Sequence, residues 1–152
     1  MKLTEGKLNC LFCKLKYEVR NGIPILFFQK ELSAHLQGQQ RYFDEESKNN
    51  SGVNNFSPWQ KSYQERFRRY CLPRKGKVFA DIGSGSGYLA LWAAQIGLQV
   101  LAYDLNFKSL SILEALKKHL KLTNLHLVCG DAQELGIKDG LADIIAHNAV
   151  LE

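Results

Sequence analysis

Between residues 77 and 148 the chain alternates between short apolar runs and longer stretches whose apolar positions recur every three or four residues. Runs of the first kind read as strands, stretches of the second as helices. Val78, Phe79, Ala80 and Ile82 are apolar at both phases of a two-residue repeat, which predicts a strand buried on both faces, as in a parallel sheet covered by helices. A helix follows over 88–96, a strand over 98–103, a helix over 107–122, and strands over 125–129 and 143–148. In the second helix Leu110, Leu113, Leu116 and Leu120 share one face, with Lys117, Lys118 and Lys121 away from it. Gly97 stands where the first helix needs a C-terminal cap. This alternation predicts an α/β fold around a parallel sheet.

Upstream the pattern changes. From Gln29 to Ser57 the chain is polar, and 45–55 has almost nothing to bury, which predicts a linker or loop. Pro58 permits a helix start, and Trp59, Tyr63, Phe67 and Tyr70 recur at helical spacing before Pro73 ends the element. Such an aromatic stripe predicts a core face packed on the sheet beside the first strand. The organisation expected is therefore an N-terminal segment 1–28, a polar linker 29–56 and a sheet-bearing domain 57–152.

The stretch Asp81-Ile-Gly-Ser-Gly-Ser-Gly87 joins the first strand to the first helix. Glycines at 83, 85 and 87 permit positive φ and remove side chains, so a ligand can approach the backbone closely. Ser86 is placed to cap the helix. The spacing differs from the Gly-x-Gly-x-x-Gly pyrophosphate fingerprint, and Asp81 would repel a phosphate while suiting an ammonium group. Further acids stand at the next strand tips: Asp104, about 20 positions beyond Gly83, and Asp131 in Gly130-Asp131-Ala132. Helix capping does not require acids at three successive strand tips.

These motifs, in this order, resemble the class I S-adenosylmethionine (SAM) methyltransferases. The resemblance implies a doubly wound, Rossmann-like sheet with strands in the order 3-2-1-4 and right-handed crossovers. It also implies SAM as cofactor, held by Asp81, Gly83, Ser84, Gly85 and Gly87 at the methionyl end, Asp104 and Leu105 at the ribose, and Asp131 and Ala132 at the adenine. Asn148-Ala-Val-Leu-Glu152 resembles the fourth-strand loop of the type 11 branch, adding Asn148 to the cofactor contacts. Members of that branch continue for further strands and helices, so the chain is expected to carry the cofactor half of a C-terminally incomplete domain. His147, at a strand tip, is the candidate general base or an ordinary pocket-lining histidine, and the Asn-Pro-Pro-Tyr signature is replaced by His147-Asn148-Ala149-Val150. Nothing identifies the methyl acceptor.

Composition narrows the setting. The 152 residues suffice for one core, no run is long enough to span a membrane, and the N-terminus lacks the apolar segment of a signal peptide, so a cytoplasmic location is expected. Four cysteines without a secretory signal argue for thiols or metal ligands over disulfides. Cys10 and Cys13 form a Cys-x-x-Cys pair which, with Tyr17 and Gly22-Ile23-Pro24, resembles the second half of a zinc-ribbon-like methyltransferase-activator domain. That is half of a tetrahedral zinc site, so zinc is not expected to be held by this chain alone. Buried thiols are the expectation for Cys71 and Cys129.

The net charge of +5 is concentrated at Lys61, Arg66, Arg68, Arg69, Arg74, Lys75 and Lys77, against Glu65 alone. Without interleaved aromatics this reads as a solvated helix face before a basic turn rather than as a nucleic-acid footprint. Two other functions compete with methyl transfer. A nicotinamide-dependent oxidoreductase is opposed by Asp81 and the glycine spacing; a non-catalytic RNA-binding or interaction module would use the basic stretch.

Overall fold

The computed structural model describes residues 6–10, 14–27, 37–39, 41–42, 45, 58–71 and 76–148. The apolar runs become the strands β4 (Val78–Ile82), β5 (Gln99–Asp104), β6 (Leu125–Cys129) and β7 (Ile144–His147). They are parallel, and β6, β5, β4 and β7 lie side by side in that order, the expected 3-2-1-4. Register aligns Ile82 with Tyr103 and with His147, and Asp104 with Cys129. All four C-terminal strand ends therefore share one rim. The order reverses between β4 and β7, where open sheets of this kind form their ligand crevice.

Side chains alternate between two cores. Phe79, Val100, Ala102, Leu125, Leu127, Cys129 and Ala146 face the helices α1 (Pro58–Cys71), α2 (Tyr88–Gln95) and α3 (Phe107–His119). Ala80, Ile82, Tyr103 and Val128 face the other way, under Ala132, Ile137 and Ala142 of the connection between β6 and β7. At the outer rim β7 pairs with β4, and Ile145 is 63% exposed.

The sheet is wider than the sequence pattern suggested. Three N-terminal strands, β1 (Gly6–Asn9), β2 (Lys16–Arg20) and β3 (Ile23–Ile25), form an antiparallel meander that extends it to seven strands. Asn21 and Gly22 have φ of 53° and 80°, the left-handed pair that a tight hairpin turn requires. Ile23, Pro24 and Ile25 are buried, and the meander joins β6 through Ile25 opposite Cys129 and the Leu26 amide donating to the Cys129 carbonyl at 2.7 Å. Pairing with β6 begins only after Pro24, which has no amide to give.

Two local expectations need correction. The helix α3 ends at His119, not 122, because Lys121 adopts φ 53° and closes a Schellman cap, with its amide on Lys118 and that of Leu122 on Lys117. Leu120 is consequently exposed. In α1, Phe67 packs edge-on against Phe79 at 6.4 Å and Cys71 is fully buried, but Tyr70 is 68% exposed. The side chains of Trp59 and Tyr63 lie outside the described residues. Gly97 does cap α2 as expected, with φ 94° and the paired bonds Gly97 to Ala94 and Leu98 to Ala93.

Candidate functional site

The glycine loop is fastened to the tip of β5 before it reaches α2. The Gly83 and Ser84 amides both donate to the Tyr103 carbonyl, at 2.7 and 3.1 Å, and the Gly87 amide closes the turn onto Ser84 at 2.8 Å. Gly83, Gly85 and Gly87 all have positive φ, so the loop's shape needs residues without a Cβ. What that absence accommodates differs along the loop. At Gly85 an added Cβ would meet nothing within 4 Å, whereas at Gly87 it would run into the side chain of Leu113 from α3. The cap expected from Ser86 is not formed: Ser86 is exposed, and Gly87 is the N-cap without a side-chain bond.

Asp81 stands beneath this loop, 4% exposed. Its Oδ2 is buried without a hydrogen-bond partner among the described residues, as is Oγ of Ser84, itself 5% exposed. Burial pushes the Asp81 carboxyl up to about 7; the Ala90 amide in the first turn of α2 pulls against this, and the charge of Asp104 adds to it. A carboxylate held dry with one oxygen unsatisfied is a receptor for a donor, best a cationic one.

Asp104 is half-buried and tied on both sides. Its Oδ2 accepts from the Gly85 amide and its Oδ1 from the Asn106 amide, each at 2.7 Å. Burial raises its pKa while these two amides lower it. A carboxylate has about four acceptor positions, so two remain for ligand hydroxyls. Asn106, fully inside the structure, caps α3 by accepting from Ser109 at 2.8 Å; its place just before the helix is a signal the sequence carried. Leu105 is partly buried, and its carbonyl accepts the Cys129 thiol at 3.4 Å. Burial and the nearby Asp104 push that thiol up to about 12, so it is a packing group.

At the third tip, Asp131 accepts through Oδ1 from the Gln133 amide at 2.9 Å, a bond within its own turn. Ala132 packs below, on the second core. The residue that holds this loop is Tyr103, which sequence reasoning missed. Its buried hydroxyl donates to the Asp131 carbonyl at 3.4 Å and accepts from the Gly136 amide. Gly130 leaves the space: a Cβ there would strike the tyrosine hydroxyl. No local pattern could have paired residues so far apart in the chain.

His147 and Asn148 complete the rim. His147 is exposed and, by alternation with the buried Ala146, points away from the helices; Asn148 is partly buried one residue beyond the Ile82–His147 pairing. The half-site reading of Cys10 and Cys13 is seen only as a partly buried Cys10, because Cys13 lies outside the described residues. Among the described residues no three His, Cys, Asp or Glu side chains gather as a metal site, and no helix is long and apolar enough to cross a membrane.

Residues 80–152 match a family described as a methyltransferase domain. The fold is similar to a protein of Methanococcus maripaludis provisionally assigned as a SAM-dependent methyltransferase, with TM-score 0.56 and 22% identity over 81% of this chain and 54% of that one. Trm5b of Pyrococcus abyssi gives TM-score 0.51 and 22% identity over 86% of this chain and 31% of its own. The Trypanosoma brucei PRMT1 enzyme-prozyme complex, determined with AdoHcy, gives TM-score 0.52 and 24% identity over 59% of this chain and 28% of its own. The chain thus spans about half the length of the Methanococcus protein and less of the others. No curated protein is significantly similar to it. Residues 80–152 are thus similar to the methyltransferase-domain family, and the fold of the chain is that of its structural neighbours.

Proposed function

We infer that this crevice binds SAM and that the chain serves transfer of its methyl group to an acceptor not yet identified. The observation that carries the reading is Asp81, a buried carboxylate with an unpartnered oxygen behind a loop whose Gly85 opens onto empty space. Its chemistry suits the ammonium of the methionyl end, and the neighbouring Ser84 hydroxyl offers a second polar contact. Asp104 would take the ribose hydroxyls with its remaining acceptor positions, and Asp131 with Ala132 would take the adenine. Gly87 supports the site from behind, by letting Leu113 close under the loop.

SAM when bound supplies a methyl group already activated on a cationic sulfur. The protein's residues then have to bind, orient and keep water away. Nothing in that requires a base, and His147 is exposed at the β7 tip, where it could only assist an acceptor reaching over that rim. This chain spans about half the length of the Methanococcus protein, and the acceptor stays open.

Calorimetry with SAM, S-adenosylhomocysteine and NAD tests the reading. One SAM and one S-adenosylhomocysteine per chain, with no NAD uptake, is the expected result. Preferential NAD binding, or none of the three, would overturn it.

A further inference from the structure

We propose that Leu26 is a positioning residue for base selection: from the N-terminal meander it sets where the 130–137 loop stands, and so lets the crevice prefer adenine over a 6-oxopurine, a role that rests on the SAM reading above. The loop that carries Asp131 has little of its own to hold it. Gln133, Glu134, Leu135 and Gly136 are exposed. Its internal bonds, the Gln133 amide to Oδ1 of Asp131 at 2.9 Å and the Glu134 amide to the Asp131 carbonyl at 3.1 Å, shape the turn without fixing it to the sheet. From beneath, Ala132 and Ile137 rest on the second core and the Tyr103 hydroxyl spans Asp131 and Gly136. From the side Gly136 meets Leu26. A Cβ on Gly136 would stand 3.0 Å from Cδ1 of Leu26 and 3.7 and 3.9 Å from its Cβ and Cγ, so the leucine side chain lies along the glycine. Gly136 is not in the left-handed region, and its missing side chain therefore serves this close approach rather than a turn.

The meander makes Leu26 a fixed stop. Ile23 and Ile25 face the helix-side core, so alternation turns the residue after Ile25 to the opposite side of the sheet, where the loop runs. The Leu26 amide is held on the Cys129 carbonyl at 2.7 Å, and Phe27 returns to the helix-side core. On that side Arg20 of β2 lies over the Phe107 ring, 5.0 Å from its centroid, while Glu18 holds the guanidinium through two bonds of 3.0 Å. Phe107 opens α3 directly after the turn that Asp104 ties. The meander is thus braced on β6 and on α3, one to each side of the place where Leu26 projects.

Base selection is the property most sensitive to such a stop. Adenine presents an amine donor beside an acceptor ring nitrogen, matched by the Asp131 carboxylate and the Ala132 amide. A 6-oxopurine reverses both, setting a carbonyl oxygen against the carboxylate and a ring N–H against the amide. Hydrogen bonds weaken steeply away from their proper distance and angle, so a loop displaced by a fraction of an ångström loses this distinction. The methionyl and ribose contacts stand on other loops and would survive.

Calorimetry of the whole chain with S-adenosylhomocysteine and S-inosylhomocysteine tests this. The parent should prefer the adenine ligand by about a hundredfold. In Leu26→Ala the preference should fall to about tenfold through weaker binding of S-adenosylhomocysteine alone, with the pH dependence set by Asp81 unchanged. Leu26→Met, which refills the space, should keep the parent's preference. Gly136→Ala crowds the same contact and should also lower it, while Leu26→Ala combined with Gly136→Ala should recover most of the loss, a non-additivity that general loosening of the meander does not produce. An unchanged preference in Leu26→Ala, an equal loss for both ligands, or additive losses in the double variant would overturn the role of Leu26 and leave the SAM reading standing. A parent that binds no S-adenosylhomocysteine would overturn both.

Discussion

The two ends of the crevice are built on opposite terms. At the glycine-loop end, Asp81 and Ser84 are buried and each keeps a polar atom without a partner among the described residues. At the far end, Asp131 satisfies itself within its own turn, and Tyr103 clasps that turn from beneath. The first end holds unfavourable free energy that a donor-bearing ligand relieves; the second is already closed and contributes shape. Affinity and its pH dependence should therefore come mainly from Asp81, and adenine placement from Tyr103.

Asp81→Asn should break this contrast most severely. Below about pH 4 folded and unfolded chains both carry the Asp81 proton. Between about 4 and 7 only the folded chain does, so stability falls as pH rises through that window and is level above it. The ionised group then costs on the order of 4 kcal/mol. The amide is never charged but leaves an N–H unpaired, so a net gain of about 2 kcal/mol at pH 8 is expected by urea denaturation. SAM affinity should fall by roughly a hundredfold through loss of a charge-assisted bond. In the parent, affinity should rise about tenfold per pH unit up to pH 7 and level off, and in the variant it should be flat. A variant less stable than the parent at pH 8 would mean that Asp81 is not strained.

The glycine pair separates ligand space from packing space. Gly87→Ala forces Leu113 aside at a φ of 83°, and a loss of about 3 kcal/mol is expected. For Gly85→Ala, with open space around the new methyl, only the φ strain of about 1 kcal/mol applies, yet SAM binding should be abolished. Thermal melts beside calorimetry decide it. Normal SAM binding by the Gly85 variant would place the ligand elsewhere.

Much of this site was legible because its determinants are local. The strand runs ending at Ile82, Asp104 and Cys129 were legible as local patterns, while the order 3-2-1-4 came from the resemblance that their acids and glycines carry. The meander was half-legible: Asn21-Gly22 announces a hairpin, but nothing local says that β3 will dock on β6. The stripe in α1 failed on phase. A step of three residues turns about 60° away from Phe67 while a step of four turns about 40°, so Cys71 took the buried place and Tyr70 went to solvent. Tyr103 with Gly130 was illegible, being a contact that exists only once the sheet has formed.

Asp104→Ala comes next in size. It removes the acceptor for the Gly85 and Asn106 amides as well as that proposed for the ribose, so calorimetry should show a loss of at least tenfold in SAM affinity. Asp131→Ala, whose carboxylate bonds within its own turn, should lose less. Equal losses would erase the distinction between the ends.

Tyr103→Phe is the mildest change and the most diagnostic. It removes only the hydroxyl, leaving the ring in the second core and the backbone carbonyl in place for the Gly83 and Ser84 amides. The Asp131 carbonyl and the Gly136 amide lose their shared partner, and since this loop lies near solvent, water replaces much of it; a loss of about 1 kcal/mol, or fivefold in SAM affinity, is expected. Amide exchange over 130–137 should quicken while that of 83–87 stays as in the parent. The curve of affinity against pH should shift as a whole and keep its slope below pH 7, because the proton belongs to Asp81 at the other end. A flattened slope, or exchange quickened equally in both loops, would show that the two ends act as one unit.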